Sequence, residues 1–481
     1  MMPHDWAMDG IQRTSVHQQI AASLNISQTE IEDVYQCTPL QEALITLSTV
    51  GSAAYVKRIV LSLRSDIDLP KFRSAVQDVV RATSILRTRI VQCADIGFVQ
   101  VVLNESIQWS SENGTLEEFL ERGQAERWDI GDPLLRHSLI VDSQTRARWF
   151  VWTIHHAIYD GWSFPIMAEH VSKRYNDEPI EPTLQYNDFV RHILQSDSDQ
   201  HGAYWRSSLA GNSYTQFPLL PNQSYMPNMD STFEQYCRPL QKEQGITRTT
   251  ILHAAWAITL RQFHGMGDAI FGTILSGRNE PIPGIRGLIG PTVATVPVRV
   301  KFDVGDTVQE YLEKLQNDSE ARKTFGQCGL HAISKLSDDA KRACSFQTLF
   351  VAQPGEESHA VRNGVGAWQR VEADIGRSSY ALTIQCFLNR TGTRVVAAFD
   401  SSILEIWRAQ RLIQQLCFVV EQLSRSDRSQ LVSDFIGVVA ADDLQKIWKW
   451  NAAVPAPVET RVHDIIAENA REQPLALAIC A

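Results

Sequence analysis

A chain of 481 residues is too long for one hydrophobic core and suits about two to four domains of ordinary size. Its 44% hydrophobic and 21% charged content is that of a globular protein, and a net charge of −10 argues against a nucleic-acid face, which needs clustered Lys and Arg. No apolar run approaches the ~20 residues that span a bilayer, residues 1–9 lack the pattern of a secretory signal, and the eight cysteines contain no C-x-x-C pair, so reduced thiols are expected.

Residues 1–28 are polar and read as a linker or short helix. An acidic run (Glu30, Glu32, Asp33) leads to Thr38, which is placed to N-cap a helix with Pro39 at its first position. The stretch 57–63 reads as a strand. Leu69-Pro70 opens a helix whose apolar residues recur at 72, 75, 76, 79 and 80, the spacing of one buried face. Stretches 85–91 and 98–103 are strand-like. The aromatic and β-branched run 149–154 is a buried strand that delivers His155 and His156 to its end. Ser163 is placed to cap a helix through Met167, Val171 and Tyr175, and a further helix carries Tyr186, Phe189, Val190 and Ile193. The polar, aperiodic stretch 195–200 is the expected hinge between lobes.

A second series follows. Residues 247–263 are helical, with Leu252, Ala255, Trp256 and Leu260 on one face, and 268–276 form a strand ending in Gly277-Arg278. Strands are expected at 293–300, 345–351, 381–388 and 394–399, and helices at 307–318 and 406–423. Two successive series of strands and helices predict two α/β lobes. No short repeat period is visible, which excludes a solenoid.

The segment His155-His156-Ala157-Ile158-Tyr159-Asp160-Gly161-Trp162-Ser163 carries the chemistry. A strand that ends in histidine before a glycine-containing turn places a proton-transfer group at a cleft mouth. Adjacent strand residues point to opposite faces, so only one of His155 and His156 faces a given cleft. Strand geometry does not say which. For the same reason a metal site from His155, His156 and Asp160 would need a bulge, and no metal is expected. A buried Asp160 needs a cation. Arg278, at the end of the strand 268–276, is the candidate, through the bidentate fork of a guanidinium; the alternative for Gly277-Arg278-Asn279 is a surface turn. The Gly and Pro residues of 287–299 either shape a strand entry or let backbone lie along a channel. Tyr186 and Phe189 read as a core-facing pair.

The segment His155 to Ser163 matches the signature H-H-x-x-x-D-G-x-S in full, and on it the chain resembles the condensation domains of nonribosomal peptide synthetases, in their fungal form. Other family blocks follow in order. The stretch Tyr35-Gln36-Cys37-Thr38-Pro39-Leu40-Gln41-Glu42 looks like the first, 81–89 is similar to R-H-x-x-L-R-T, and Tyr186-Asn187-Asp188-Phe189 resembles the fourth. Residues 289–299 resemble the fifth, 345–350 a looser late block, and 327–333 is the nearest stretch to a sixth. Trp450-Asn451 with 462–466 and 473–478 resembles the link into an adenylation domain.

The resemblance implies an α/β (α+β) fold of two chloramphenicol-acetyltransferase-like lobes, a V-shaped pseudo-dimer with a central tunnel. The divisions are a linker at 1–28, an N-terminal lobe at 29–196, a C-terminal lobe at 197–448, and a linker with the start of an adenylation domain at 449–481. It implies amide formation between a donor thioester and an acceptor aminoacyl amine, with His156 as general base or positioning acceptor and Gly161 contributing an oxyanion-stabilising backbone. His155, Asp160 and Arg278 are structural at the site, and Trp162, Ser163, Ser276 and Gly277 line the substrate tunnel. No cofactor is bound by the domain itself; phosphopantetheine arms of donor and acceptor carrier domains bring the substrates. An adenylation domain is the neighbour, and the expected state is a cytoplasmic monomer without nucleic-acid or membrane partners. A native Met1 would imply a donor supplied in trans; otherwise 1–34 link to an upstream carrier.

Other relatives fit less well. Epimerisation domains carry a glutamate motif not found here, heterocyclisation domains replace the histidines by aspartates, and plant-type acyltransferases have a late D-F-G-W-G block that is missing. Ester-forming or macrocyclising domains, and a non-catalytic carrier-docking module, remain as alternatives.

Overall fold

The apolar spacing at 72, 75, 76, 79 and 80 becomes the helix Leu69–Ala82, and those five residues are its buried face. Asp68 caps it by accepting the Lys71 N–H, and Pro70 sits in the first turn, where no intrahelical donor is needed. The computed structural model describes residues 10–481 except 51–54, 95, 123–127, 223, 239–244, 266, 304, 356–361, 372–377, 437–438, 440, 454–458 and 476–481. Two units are distinguished, Met1–Ile436 and Gly437–Ala481; the second holds the helices Ala441–Trp450 and Val462–Glu472.

The strands of the first half are β1 (Ile31–Gln36), β2 (Val56–Leu63), β3 (Thr88–Cys93), β4 (Gly97–Leu103), β5 (Trp109–Asn113), β6 (Leu135–Val141) and β7 (Arg148–His155). Those of the second half are β8 (Ser231–Cys237), β9 (Asp268–Leu275), β10 (Ala294–Lys301), β11 (Thr348–Pro354), β12 (Arg362–Asn363), β13 (Gly366–Val371), β14 (Leu382–Leu388) and β15 (Thr393–Phe399). They form a small sheet β1-β4-β3 and two six-stranded sheets, β12-β13-β2-β7-β6-β5 and β10-β9-β11-β14-β15-β8. The larger sheets are mixed: β5 runs parallel to β6, and β11 parallel to both β9 and β14.

Each large sheet has its own buried cluster. Phe150, Trp152 and Phe164 anchor the first, and Trp256, Phe271 and Phe350 the second. Two cores follow from two separate series of amphipathic elements, as the sequence predicts. The division by chain order is crossed: Ile285, Leu288 and Ile289 join the first cluster, and one strand does so as well. β13 lies in the second half of the chain but pairs with β2 from Arg58 to Leu63 in the first sheet. Its Trp368 stacks on Trp152 at 5.0 Å and meets Phe150 and Phe164 edge-on. Burying such a ring is worth roughly 2–3 kcal/mol, with aromatic geometry adding to it.

Several sequence expectations are corrected. The hinge stretch 195–200 already contains the start of the helix Ser198–Leu209, because the Asp197 carboxylate accepts the Asp199 and Gln200 N–H groups. The strand expected at 85–91 begins as the 3₁₀ turn Ser84–Arg87 before β3. Of the two readings of the polar start, linker or short helix, the second holds over Gly10–Leu24, with Ile20 buried. Cys237 of β8 and Cys417 of the helix Ile406–Arg425 are joined in a disulfide, Cα atoms 5.3 Å apart, where reduced thiols were expected. Edge strand and helix pack together there, which is what brings the two residues within bonding reach. Among the described residues no helix is long and apolar enough to cross a membrane.

Candidate active site

The two adjacent imidazoles part as strand alternation requires. His155, the last residue of β7, is fully buried. Its Nδ1 accepts the Ala157 N–H at 3.1 Å, so the neutral ring carries its proton on Nε2 and donates it to Ser48 Oγ at 2.8 Å. The Ser48 hydroxyl passes its own proton to the Leu44 carbonyl at 2.8 Å. Both ring nitrogens are used, and burial pulls the imidazole down to about 3. His155 is a neutral strut.

His156 has the opposite tautomer. Its Nδ1 lies 2.8 Å from the Tyr159 carbonyl, which can only accept, so the proton sits on Nδ1 and Nε2 presents a lone pair. The ring stacks on Tyr159 with centroids 5.1 Å apart, and its backbone N–H is held by the Tyr55 carbonyl at 2.8 Å. Desolvation lowers its pKa, partly opposed by the Asp160 charge and the Tyr159 hydrogen bond. Unlike His155 it is only half-buried. A neutral imidazole with one fixed N–H and one accepting nitrogen is the form a general base needs.

Asp160 anchors the loop that follows. Its Oδ1 accepts the backbone N–H groups of Trp162 and Ser163 at 3.1 and 2.8 Å, and the Ser163 hydroxyl at 2.7 Å. Its Oδ2 accepts the Thr292 N–H at 3.1 Å. Arg278 reaches both oxygens, at 2.9 and 2.7 Å, with both side chains sealed from solvent. The partnership is the expected one, but its geometry is not a fork. Nη2 alone serves the carboxylate, because Nη1 is taken by the carbonyls of Ile285 (3.1 Å) and Leu288 (2.6 Å). The Gly290 carbonyl also accepts from Nη2, at 2.9 Å. One guanidinium thereby gathers the histidine loop and the 285–290 loop.

Ser163 is not a cap. The helix Ser163–Tyr175 starts with Trp162 at the N-cap, and it is the Asp160 carboxylate that receives the first N–H groups. Ser163 is wholly buried, its hydroxyl accepting the Gly290 N–H at 3.0 Å, so it packs inside the pin rather than facing a channel. Trp162 is exposed and donates its indole N–H to the Arg286 carbonyl at 2.9 Å. Ser276 is exposed, and its carbonyl accepts the Thr292 hydroxyl at 2.7 Å. Gly277 has φ +66°, and a Cβ there would lie 2.0 Å from the Thr292 carbonyl oxygen, so only glycine fits. Gly161 is exposed, with open space where a Cβ would stand.

Three supports carried no signal that singled them out. Gln41 is fully buried; its amide donates to the Ala157 carbonyl at 2.9 Å and to Gln100 Oε1 at 2.7 Å, while its oxygen accepts the Thr38 N–H at 2.9 Å. Gln100 in turn donates to the Gln36 carbonyl at 2.9 Å. Thr292 joins Asp160 to the end of β9. Tyr186 and Phe189 are buried as expected, and the Tyr186 hydroxyl also donates to the Pro291 carbonyl at 2.9 Å. Among the described residues no three His, Cys, Asp or Glu side chains are grouped to hold a metal ion.

Comparisons with known proteins place the chain in a family. Residues 31–435 match the condensation-domain family model. The chain is 36% identical to nonribosomal peptide synthetase TES of Alternaria alternata over 486 residues, covering 100% of this chain and 9% of that protein. It is 37% identical over 440 residues to nonribosomal peptide synthetase sidD of Aspergillus fumigatus, covering 91% and 21%. The chain thus spans less than a quarter of these relatives. Among solved structures, the condensation domain of the monacolin K polyketide synthase MokA aligns with TM-score 0.63 at 16% identity, covering 84% of this chain and 99% of that one. A starter condensation domain of rhizomide synthetase RzmA aligns with TM-score 0.70 at 14% identity, covering 85% and 99%. At these identities the likeness speaks for the fold, which is chloramphenicol-acetyltransferase-like. By the family match and these relatives, the chain belongs to the condensation domains, acyltransferases whose general role in nonribosomal peptide synthetases is amide-bond formation.

Proposed function

We propose that this chain joins a donor acyl or peptidyl thioester to the α-amine of an acceptor aminoacyl thioester, with His156 as the proton acceptor. The observation that carries the reading is the His156 tautomer: Nδ1–H spent on the Tyr159 carbonyl, Nε2 left with its lone pair on a half-buried ring. The acceptor nitrogen attacks the donor carbonyl carbon and an N–C bond forms. The nitrogen gives up a proton to Nε2, the C–S bond breaks, and the departing thiolate takes that proton. An aminoacyl amine with a pKa near ~8 is largely protonated at neutral pH, so a base or positioning acceptor contributes about 10²–10⁴-fold. Holding two tethered reactants in line contributes at least as much.

His155, Asp160 and Arg278 act as supports in this reading, and the open space at Gly161 admits the reacting thioester. The partners are donor and acceptor carrier domains presenting phosphopantetheine arms, beside an adenylation domain whose linker and first residues are 449–481. The lobes are taken as 29–196 and 197–448, with the substrates meeting in a channel between them. The test uses two carrier proteins, one loaded with a donor and one with an aminoacyl acceptor. Amide product supports the reading; an ester or cyclic product points to the related chemistries, and carrier binding without turnover to a docking module.

A further inference from the structure

A pair of hydroxyls beside His156 joins the two halves of the chain. Val56 stands opposite His155 in the β2–β7 register, and the Tyr55 carbonyl accepts the His156 N–H. Tyr55 is therefore the residue that continues the pairing to His156, joined to it by that backbone hydrogen bond. The Tyr55 hydroxyl lies 3.3 Å from Ser379 Oγ, 324 residues further along the chain. Ser379 is held between fixed neighbours. The Ser378 N–H donates to the Pro227 carbonyl at 3.0 Å, and the Tyr380 ring stacks on Phe346 with centroids 5.4 Å apart.

Tyr55, Tyr380 and His156 share an uncommon combination. Burial raises both phenols and lowers the imidazole, yet all three keep accessible surface, as does Ser379. The four residues are thus neither packed fully into the core nor laid open on the surface. The Tyr55–Ser379 contact is also long for a bond between two hydroxyls, which prefer about 2.7–2.8 Å. It is a weak bond, readily exchanged for a better partner.

We propose that Tyr55 and Ser379 form a specificity contact on the substrate channel, parting to bind an amide or carbonyl of an aminoacyl or peptidyl substrate close to its thioester and so disfavouring plain hydrocarbon acyl groups. Each hydroxyl both donates and accepts, so the pair takes up the carbonyl and the N–H of one amide. A hydrocarbon chain that separates them leaves both without a partner, the situation by which hydrogen-bonding sites reject apolar analogues. The inference rests on the amide-forming reading for the identity of the substrate, but not for the existence of the contact.

The test titrates two soluble pantetheine conjugates of equal length, one bearing an N-acylaminoacyl group and one a hydrocarbon acyl group, against the His156→Ala chain so that turnover does not intervene. The amide conjugate is expected to bind about fivefold more tightly, the worth of one net hydrogen bond. Adding Tyr55→Phe or Ser379→Ala should each bring the two conjugates to within about twofold, and combining them should change nothing further. Equal binding of the two conjugates, binding of neither, or a preference that survives both substitutions overturns the proposal. Turnover by the unsubstituted chain with loaded carriers is scored separately: retained preference without product counts against amide formation alone, and product without preference against the contact alone.

Discussion

Asp160 and Arg278, 118 residues apart in sequence, meet through a single guanidinium nitrogen at 2.7 and 2.9 Å from the two carboxylate oxygens. Both are sealed, and around them stand backbone groups and the hydroxyls of Ser163, Thr292 and Ser276. Removing one charge strands the other in a site sealed from solvent. Asp160→Asn and Arg278→Gln should each cost about 3–5 kcal/mol, read as a lowered Tm, with the double substitution costing clearly less than the sum. Arg278→Lys should fail to rescue, since an ammonium cannot span the Ile285, Leu288 and Gly290 carbonyls and the carboxylate together.

His156 is half-buried and its ring is held by one carbonyl and one stacking partner. His156→Ala should lower the turnover of carrier-loaded substrates by about 10²–10⁴-fold with little change in Tm. The same depressed pKa gives a pH signature. A ring whose pKa lies below 6.5 stays neutral, and competent as a base, as pH falls through 6.5. Activity should therefore follow acceptor amine deprotonation on the alkaline side and show no histidine-like loss near 6.5.

Gln41 donates its amide N–H to the Ala157 carbonyl within the histidine loop at 2.9 Å. Gln41→Leu leaves that carbonyl and Gln100 Oε1 buried without it, at about 1–3 kcal/mol for each stranded group. Turnover should fall along with Tm, because the loop that carries His156 is what relaxes. A hydrogen-exchange measurement on 155–161 should show faster exchange than in the unsubstituted chain.

Three histidines, 137, 155 and 253, are pulled down to about 3 by burial. In the unfolded chain they titrate near 6.5, so below that pH the unfolded state binds more protons than the folded one. Stability should then fall as pH drops from 6.5 toward 3, each histidine adding up to about 1.4 kcal/mol per pH unit. His253→Gln should reduce the slope of unfolding free energy between pH 5 and 6.5 by up to one proton, measured by urea denaturation. An unchanged slope would remove His253 from the account.

Gly277→Ala is expected to be severe for its size. It forces an L side chain to φ +66° and drives its Cβ to 2.0 Å from the Thr292 carbonyl, beside the Asp160 pin. The left-handed strain alone costs about 1–2 kcal/mol. A lowered Tm with reduced turnover is the expected pair of outcomes.

How far these features can be read in the sequence depends on how local their causes are. The helix Leu69–Ala82 is legible because its buried face repeats every three or four residues. That only one of His155 and His156 faces a cleft is legible because a strand alternates, while the choice of His156 comes from the family resemblance. Asp160 and Arg278 could be paired because a buried carboxylate demands a cation and few arginines end a strand. Gln41 could not be singled out: a glutamine in a helix's first turn looks solvated, and its inward turn depends on a carbonyl 116 residues away. β8, where the adjacent polar pairs Ser231-Thr232 and Glu234-Gln235 break any alternation, resembles a loop until β15 pairs with it. The same holds for Cys237 and Cys417, 180 residues apart. The 3₁₀ turn at Ser84–Arg87 and the Asp197 cap were missed for a smaller reason, since one turn of chain carries no periodicity.

The seating of β13 against β2 bears on how such a chain is made and recombined. During synthesis the first sheet waits for its outer strands until residue 371 has left the ribosome, long after β7 is finished, so the edge of β2 stays open over more than two hundred residues of elongation. A chimera that exchanges the first half at the 196/197 junction would set a foreign β2 beside the resident β13. Exchanges that carry residues 362–371 along with 29–196 keep the original pairing, and are the ones expected to yield soluble protein.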